Sequence, residues 1–204
     1  ALYPIDRSVR CSDDAGRVGT AKVFTKTRGT VEMADLRAME EVSFLEHDGR
    51  LGFTKVLAMI PSRPNESADT YLAIHTESGK RLVLTPTHYV MVDGKEKEAS
   101  TVVPGDVVHT VDRGSDGVLQ VTAANATGLF SPITLAGTLF VDGVHVSSFG
   151  APIKATSNFV KVVNLAHSYL PTSVFQSTTT ASILASDIFI GGFLKIVSYA
   201  PNFI

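Results

Sequence analysis

Thr85-Pro86-Thr87-His88 sets a hydroxyl and an imidazole three residues apart across a proline, where one predicted strand ends and another begins. An imidazole titrates near neutral pH and can give or take a proton within hydrogen-bond reach of a reacting group. Taken alone, such a pair is a weak signal for chemistry. The residues also fit a plainer role, that of a hydrogen-bonded histidine at a strand end. Cys11 is the single thiol. A cysteine is nucleophilic even when little of it is thiolate, and a buried one is equally a small hydrophobe. The remaining histidines, His47, His75, His109, His145 and His167, lie at no spacing to carboxylates that would hold a metal. No cofactor is implied. Glu40-Glu41 and Asp13-Asp14 read as solvated turns.

Residues 1–150 read as β structure: short runs of Val, Ile, Leu, Thr and Phe alternate with turn clusters. Asp48-Gly49, Ser78-Gly79, Asp93-Gly94, Asp116-Gly117 and Asp142-Gly143 are hairpin dipeptides. The clearest hairpin joins 71–76 to 81–85 through Glu77-Ser78-Gly79-Lys80, and so delivers Thr85 and His88. A helical turn is expected at Met33–Arg37. A weak internal repeat recurs after about 66 residues. It matches Leu36–Val42 with Val102–Val108 in apolar spacing, and each copy is followed by a strand, an Asp/Gly turn and another strand. Duplicated halves predict an all-β domain with a pseudo-two-fold.

The character changes after Gly150. Residues 159–169 read as a helix, a Ser/Thr-rich stretch spans 177–182, and 183–204 is strongly apolar. Asp187 and Lys195 interrupt that tail, so no uncharged run reaches the roughly 18 residues of a membrane span. A short, docked helical extension or a lipid-facing surface over 183–204 fits better. The expected division is therefore a β domain over 1–150 and an extension over 151–204.

A chain of 204 residues is long enough for a core without staples. One cysteine excludes an internal disulfide framework and a Cys-based zinc site. A net charge of -2 without a Lys/Arg run gives no basis for binding nucleic acid. No signal peptide opens the sequence; two sequons, at Asn65 and Asn125, permit a secretory history.

Several segments in order resemble the Hint domains of hedgehog-type autoprocessing proteins. Residues 74–92, around Thr85-Pro86-Thr87-His88, resemble the segment carrying the family's T-P-x-H motif. Phe53–Leu57 resembles the strand before it. Val103-Pro104-Gly105-Asp106 resembles a P-G-D turn, residues 131–149 resemble the last strands, and Asn164–His167 resembles an L-A-H stretch beyond them. The resemblance implies a Hint fold that cuts its own chain. A first-residue cysteine attacks the preceding carbonyl, a thioester forms, and an acceptor, a sterol in hedgehogs, releases the upstream polypeptide. It assigns proton donation to the departing amine to His88, orientation of the scissile peptide to Thr85, the nucleophile's place to Ala1, and the place of a family cysteine near the last strand to Ser148. These four should gather around the chain start. The implied partners are the chain's own upstream polypeptide and cholesterol or another acceptor, with membrane contact through 183–204, and the implied location is the secretory pathway.

The sequence departs from this pattern in three places. Ala1 cannot attack a carbonyl, so it is read either as an engineered replacement for cysteine or as the mark of a natural pseudoenzyme. Cys11 is an alternative nucleophile, although Arg10 precedes it where the family has glycine. Ile60-Pro61-Ser62 offers no carboxylate where the family has an aspartate for activating the sterol hydroxyl, which argues against sterol transfer and leaves the acceptor open between sterol, water and another nucleophile. A silent binding module that presents the apolar tail is the rival from another class. Protein splicing is disfavoured, because the chain ends Pro201-Asn202-Phe203-Ile204 rather than at an asparagine.

Overall fold

A computed structural model describes residues 17–149, except 64, 66, 67 and 69, and omits the side chains of 60–63. The expected nucleophile position Ala1, its alternative Cys11 and the expected extension over 151–204 lie outside these residues.

The described chain is all-β and built twice. In the first half a hairpin of β1 (Lys22–Thr25) and β2 (Gly29–Glu32) leads through a 3-10 turn, Met33–Asp35, to a hairpin of β3 (Glu41–Leu45) and β4 (Leu51–Arg63). In the second, β7 (Tyr89–Val92) and β8 (Lys95–Glu98) lead through a 3-10 turn, Ala99–Thr101, to β9 (Val107–Thr110) and β10 (Gly114–Ala124). The helical turn expected at Met33–Arg37 is thus the first of two equivalent turns. Leu36 and Val102 close them in matching conformations, φ/ψ of −69°/140° and −68°/134°. Both side chains are buried. The spacing shared by Leu36–Val42 and Val102–Val108 therefore reflects duplicated structure. At the next equivalent position Met39 has φ 72° and Gly105 φ 92°. Glycine takes that left-handed backbone freely, whereas methionine is strained in it.

The long strands β4 and β10 serve two partners each. β4 pairs with β3 at one end and with β11 (Leu129–Thr134) at the other. β10 pairs with β9 and then with β5 (Tyr71–Thr76), with a register break between Val118 and Gln120. β5 returns to β6 (Arg81–Leu84) as the expected hairpin. The final hairpin, β12 (Thr138–Val141) with β13 (Val144–Ser147), lies against β7 and β9. Asp93-Gly94 and Asp142-Gly143 make two-residue turns with φ positive at both residues, the geometry that suits twisted hairpins. Asp116-Gly117 does not turn: it lies within β10 opposite Val108 and Val107. The Asp116 carboxylate instead accepts hydrogen bonds from the backbone N–H and hydroxyl of Ser78.

Val23, Val42, Ile74, Leu84, Val90, Leu139, Val144 and Val146 fill the core between these strands. Every residue of β11, β12 and β13 is buried. Such strands read as continuous apolar runs, so the polar residues within them stand out as chemistry to be explained.

Candidate active site around His88

His88 leaves β6 through a tight turn. Its N–H donates to the Thr85 carbonyl at 3.1 Å, and its own carbonyl accepts the Ala99 N–H at 2.8 Å. The Pro86 carbonyl accepts the Ser100 N–H at 2.8 Å. The other half makes the same turn with Val18, Gly19, Thr20 and Ala21: Ala21 N–H to Val18 carbonyl at 3.2 Å, Met33 N–H to Ala21 carbonyl at 2.7 Å, and Ala34 N–H to Gly19 carbonyl at 3.0 Å. One duplicated turn thus holds an alanine in the first half and the histidine in the second.

The His88 ring is wholly buried, and Thr85 beside it is 2% exposed. His88 Nε2 lies 3.0 Å from the Ser147 carbonyl at the end of β13. A carbonyl oxygen only accepts, so Nε2 carries the ring proton when the ring is neutral. Nδ1 is then the atom with a free lone pair. It is buried and has no hydrogen-bond partner among the described residues.

A second side chain reaches the same carbonyl. Arg17 is inserted between β6 and β11 as a bridge to Leu84 and Phe130. Its N–H donates to the Phe130 carbonyl at 2.9 Å, and its carbonyl accepts the Phe130 N–H at 3.0 Å. The Arg17 guanidinium is wholly buried and donates from Nη2 to the Ser147 carbonyl. Its Nε and Nη1 have no hydrogen-bond partner among the described residues. Burial lowers its pKa to about 9 against the opposing pull of Asp142, so it stays charged at neutral pH. Burial first, then the Arg17 charge, push the His88 pKa well below its ordinary value, and the Ser147 hydrogen bond opposes them. His88 is therefore neutral at neutral pH.

Ser148 lies next in the chain but faces other groups. Its hydroxyl accepts the Thr134 N–H at 3.4 Å, its N–H donates to the Gly137 carbonyl at 2.8 Å, and its carbonyl accepts the Ser131 hydroxyl at 3.1 Å. Of the four residues singled out from sequence, the structure places Thr85 and His88 in one turn, with Ser148 one residue beyond the carbonyl that His88 binds. Ala1 lies outside the described residues.

Arg17 and the Ser147 carbonyl were not legible in the sequence. Arg17 stands in no motif, and a backbone carbonyl has no residue type to betray it. His109 and His145 form a separate group with Phe140, and among the described residues no three His, Cys, Asp or Glu are placed to hold a metal ion.

Comparison with known proteins places the fold. The Warthog protein 1 of Caenorhabditis elegans is 25% identical over 193 residues, which cover 90% of this chain and 37% of that protein. The Protein hedgehog of Drosophila virilis is 27% identical over 127 residues, 57% of this chain and 26% of its own length. This chain thus spans well under half of either relative. Among solved structures, the gp41-1 intein superposes with a TM-score of 0.55 at 16% identity, covering 65% of this chain and 98% of the intein. A bacterial intein-like domain from Clostridium thermocellum gives 0.55 at 18% identity, covering 67% and 99%. These structural likenesses establish the shared fold. The sequence profile of the Hint module matches residues 6–182. The match takes in nearly the whole chain, including the duplicated halves and the His88 turn, and this protein therefore belongs to the Hint module family.

Proposed function

We propose that this chain is a self-cleaving autoprocessing domain that breaks the peptide bond before a nucleophilic cysteine and passes the upstream polypeptide to an acceptor. The observation that carries this reading is the state of His88: buried, neutral, anchored through Nε2 and left with Nδ1 unpartnered. Such a nitrogen can take a proton and return it. In the proposed step the thiol proton moves to Nδ1 as sulfur bonds to the scissile carbonyl carbon. The carbon–nitrogen bond then breaks as Nδ1–H delivers that proton to the departing amine. The proton comes from the thiol, so the ring can start neutral. Thr85 orients the scissile peptide, and Ser148 supports the strand end that carries the Ser147 carbonyl. An acceptor finally attacks the thioester, and the cysteine thiol is regenerated.

The nucleophile belongs, on the first reading, at position 1, where alanine in the place of cysteine leaves the chain silent. A second reading uses Cys11. One observation favours it: the Hint match begins at residue 6, leaving Ala1 outside and Cys11 inside. The proposal further divides the chain into a catalytic β domain over 1–150 and an extension over 151–204 that meets sterol or membrane through 183–204. It places the parent protein in the secretory pathway, consistent with its hedgehog relatives.

Two fusions test the proposal. One carries a reporter ending in glycine before the chain with Ala1→Cys; the other carries it directly before Cys11. Positioning by a fold is worth several kcal/mol of barrier, roughly 7 or more when alignment is good. The expected result is slow release in neutral buffer, fast release with hydroxylamine or dithiothreitol, and suppression of both by His88→Ala. The fusion that responds names the nucleophile. Cholesterol should accelerate release little, because no carboxylate stands in Ile60-Pro61-Ser62. Two folded fusions that release nothing would leave the silent binding module as the reading.

A further inference from the structure

Among the described residues the buried guanidinium of Arg17 is only partly satisfied. Two of its nitrogens, Nε and Nη1, are orphaned in the interior, and a buried ionic group is often replaced by an apolar side chain of similar volume at no cost in stability. Among the described residues the opposite charge acting on it is Asp142, which is itself held by the Lys22 N–H at 2.8 Å and feels Lys22 and Arg81. What Arg17 does have is an exact neighbour in function: the Ser147 carbonyl that anchors His88.

We propose that Arg17 is a positioning residue for His88, the guanidinium and the imidazole being clamped side by side on the Ser147 carbonyl so that Nδ1 remains the ring's one proton-accepting atom. The inference rests on the autoprocessing reading above and extends it to a residue outside the T-P-x-H motif. A carbonyl oxygen has two lone pairs and can accept both donors at once. A ring carrying its proton on Nδ1 would instead turn the Nε2 lone pair against that oxygen. The shared acceptor therefore selects the tautomer. Charge acts in the same direction. From β13 the Ser147 carbonyl hydrogen-bonds His88, and among the described residues Arg17 is the one charged group acting on the ring. A cation alongside opposes a second proton on the imidazole, so the ring stays available as a base. Arg17 itself cannot drift, because its backbone is hydrogen-bonded on β11 next to the Leu84–Thr85 corner.

The test reads His88 directly, independently of cleavage. Nitrogen-15 NMR of the histidine rings is recorded on the 204-residue chain, with Arg17→Met and Arg17→Lys beside the parent. The parent should show His88 as the Nε2–H tautomer, silent to titration through neutral pH. Arg17→Met should fold and raise the pH at which His88 titrates; Arg17→Lys, which keeps the charge, should stay close to the parent. In the responsive fusion, Arg17→Met should move the acid limb of the cleavage rate to higher pH, and Arg17→Lys should restore it. A folded Arg17→Met whose His88 tautomer and titration match the parent would overturn the proposal. If Arg17→Met does not fold, the parent spectrum decides: a proton on Nδ1 refutes the clamp and a proton on Nε2 supports it. Because the NMR readout needs no cleavage, a failed autoprocessing reading and a failed Arg17 proposal give different results.

Discussion

Replacing His145 with phenylalanine should make the folded domain markedly less sensitive to acid. His145 sits on β13 with its ring 5.3 Å from that of Phe140 and 6.4 Å from that of His109. It is 6% exposed, and its Nε2 is buried without a hydrogen-bond partner. Burial, assisted by His109, lowers its pKa from 6.5 to about 4. The folded state thus binds the proton more weakly than the unfolded chain. The stability tied to His145 is complete above 6.5 and is lost as pH falls toward 4. At about pH 5 the unfolded residue is almost fully protonated and the folded one is not, a difference of about 2 kcal/mol. Phenylalanine has a similar volume, fills the same contacts and has no proton to bind. Urea unfolding followed by far-UV circular dichroism, at about pH 7.5 and about pH 5, measures the effect. His145→Phe should match or exceed the parent at the higher pH and keep about 2 kcal/mol more stability at the lower one. The remaining acid loss in that variant should come largely from His88, whose shift has the same sign. Equal acid losses in the parent and in His145→Phe would refute the reasoning.

Gly105→Ala should cost about 1 kcal/mol in urea unfolding: space around a Cβ is open, but φ is +92°, which L side chains resist. The opposite change at the equivalent position, Met39→Gly, should cost little or be mildly stabilising. Asp116→Asn should destabilise by about 1–3 kcal/mol at neutral pH, because it weakens the carboxylate that caps the Ser78 turn from β10. Although burial raises the Asp116 pKa, hydrogen bonds from Ser78 and Thr76 outweigh it and lower it overall. The parent's advantage should therefore shrink as the carboxylate is protonated in acid. Leu139→Ala, at a fully buried position in β12, should cost about 2–5 kcal/mol and lower the midpoint without changing the slope of unfolding.

The sequence by itself determined the local pieces. Asp93-Gly94 and Asp142-Gly143 specify two-residue hairpins because their short side chains tolerate the left-handed backbone that such turns require. The spacing of Leu36–Val42 and Val102–Val108 announced a duplicated unit, since both copies must bury the same apolar positions behind equivalent turns. Thr85 and His88 stood out as candidates because the segment around them, residues 74–92, resembles the T-P-x-H segment of hedgehog-type Hint domains. Asp116-Gly117 shows the limit of local reading: the dipeptide favours a turn, but pairing with β9 holds it inside a strand. The tertiary structure alone decided the state of His88. Its anchor lies 59 residues away at the Ser147 carbonyl, and Arg17 reaches that same carbonyl across 130 residues. Whether a histidine is neutral, which nitrogen holds its proton and whether a cation lies beside it are set by burial and by contacts between distant strands. Those exist only once the two halves have closed on each other.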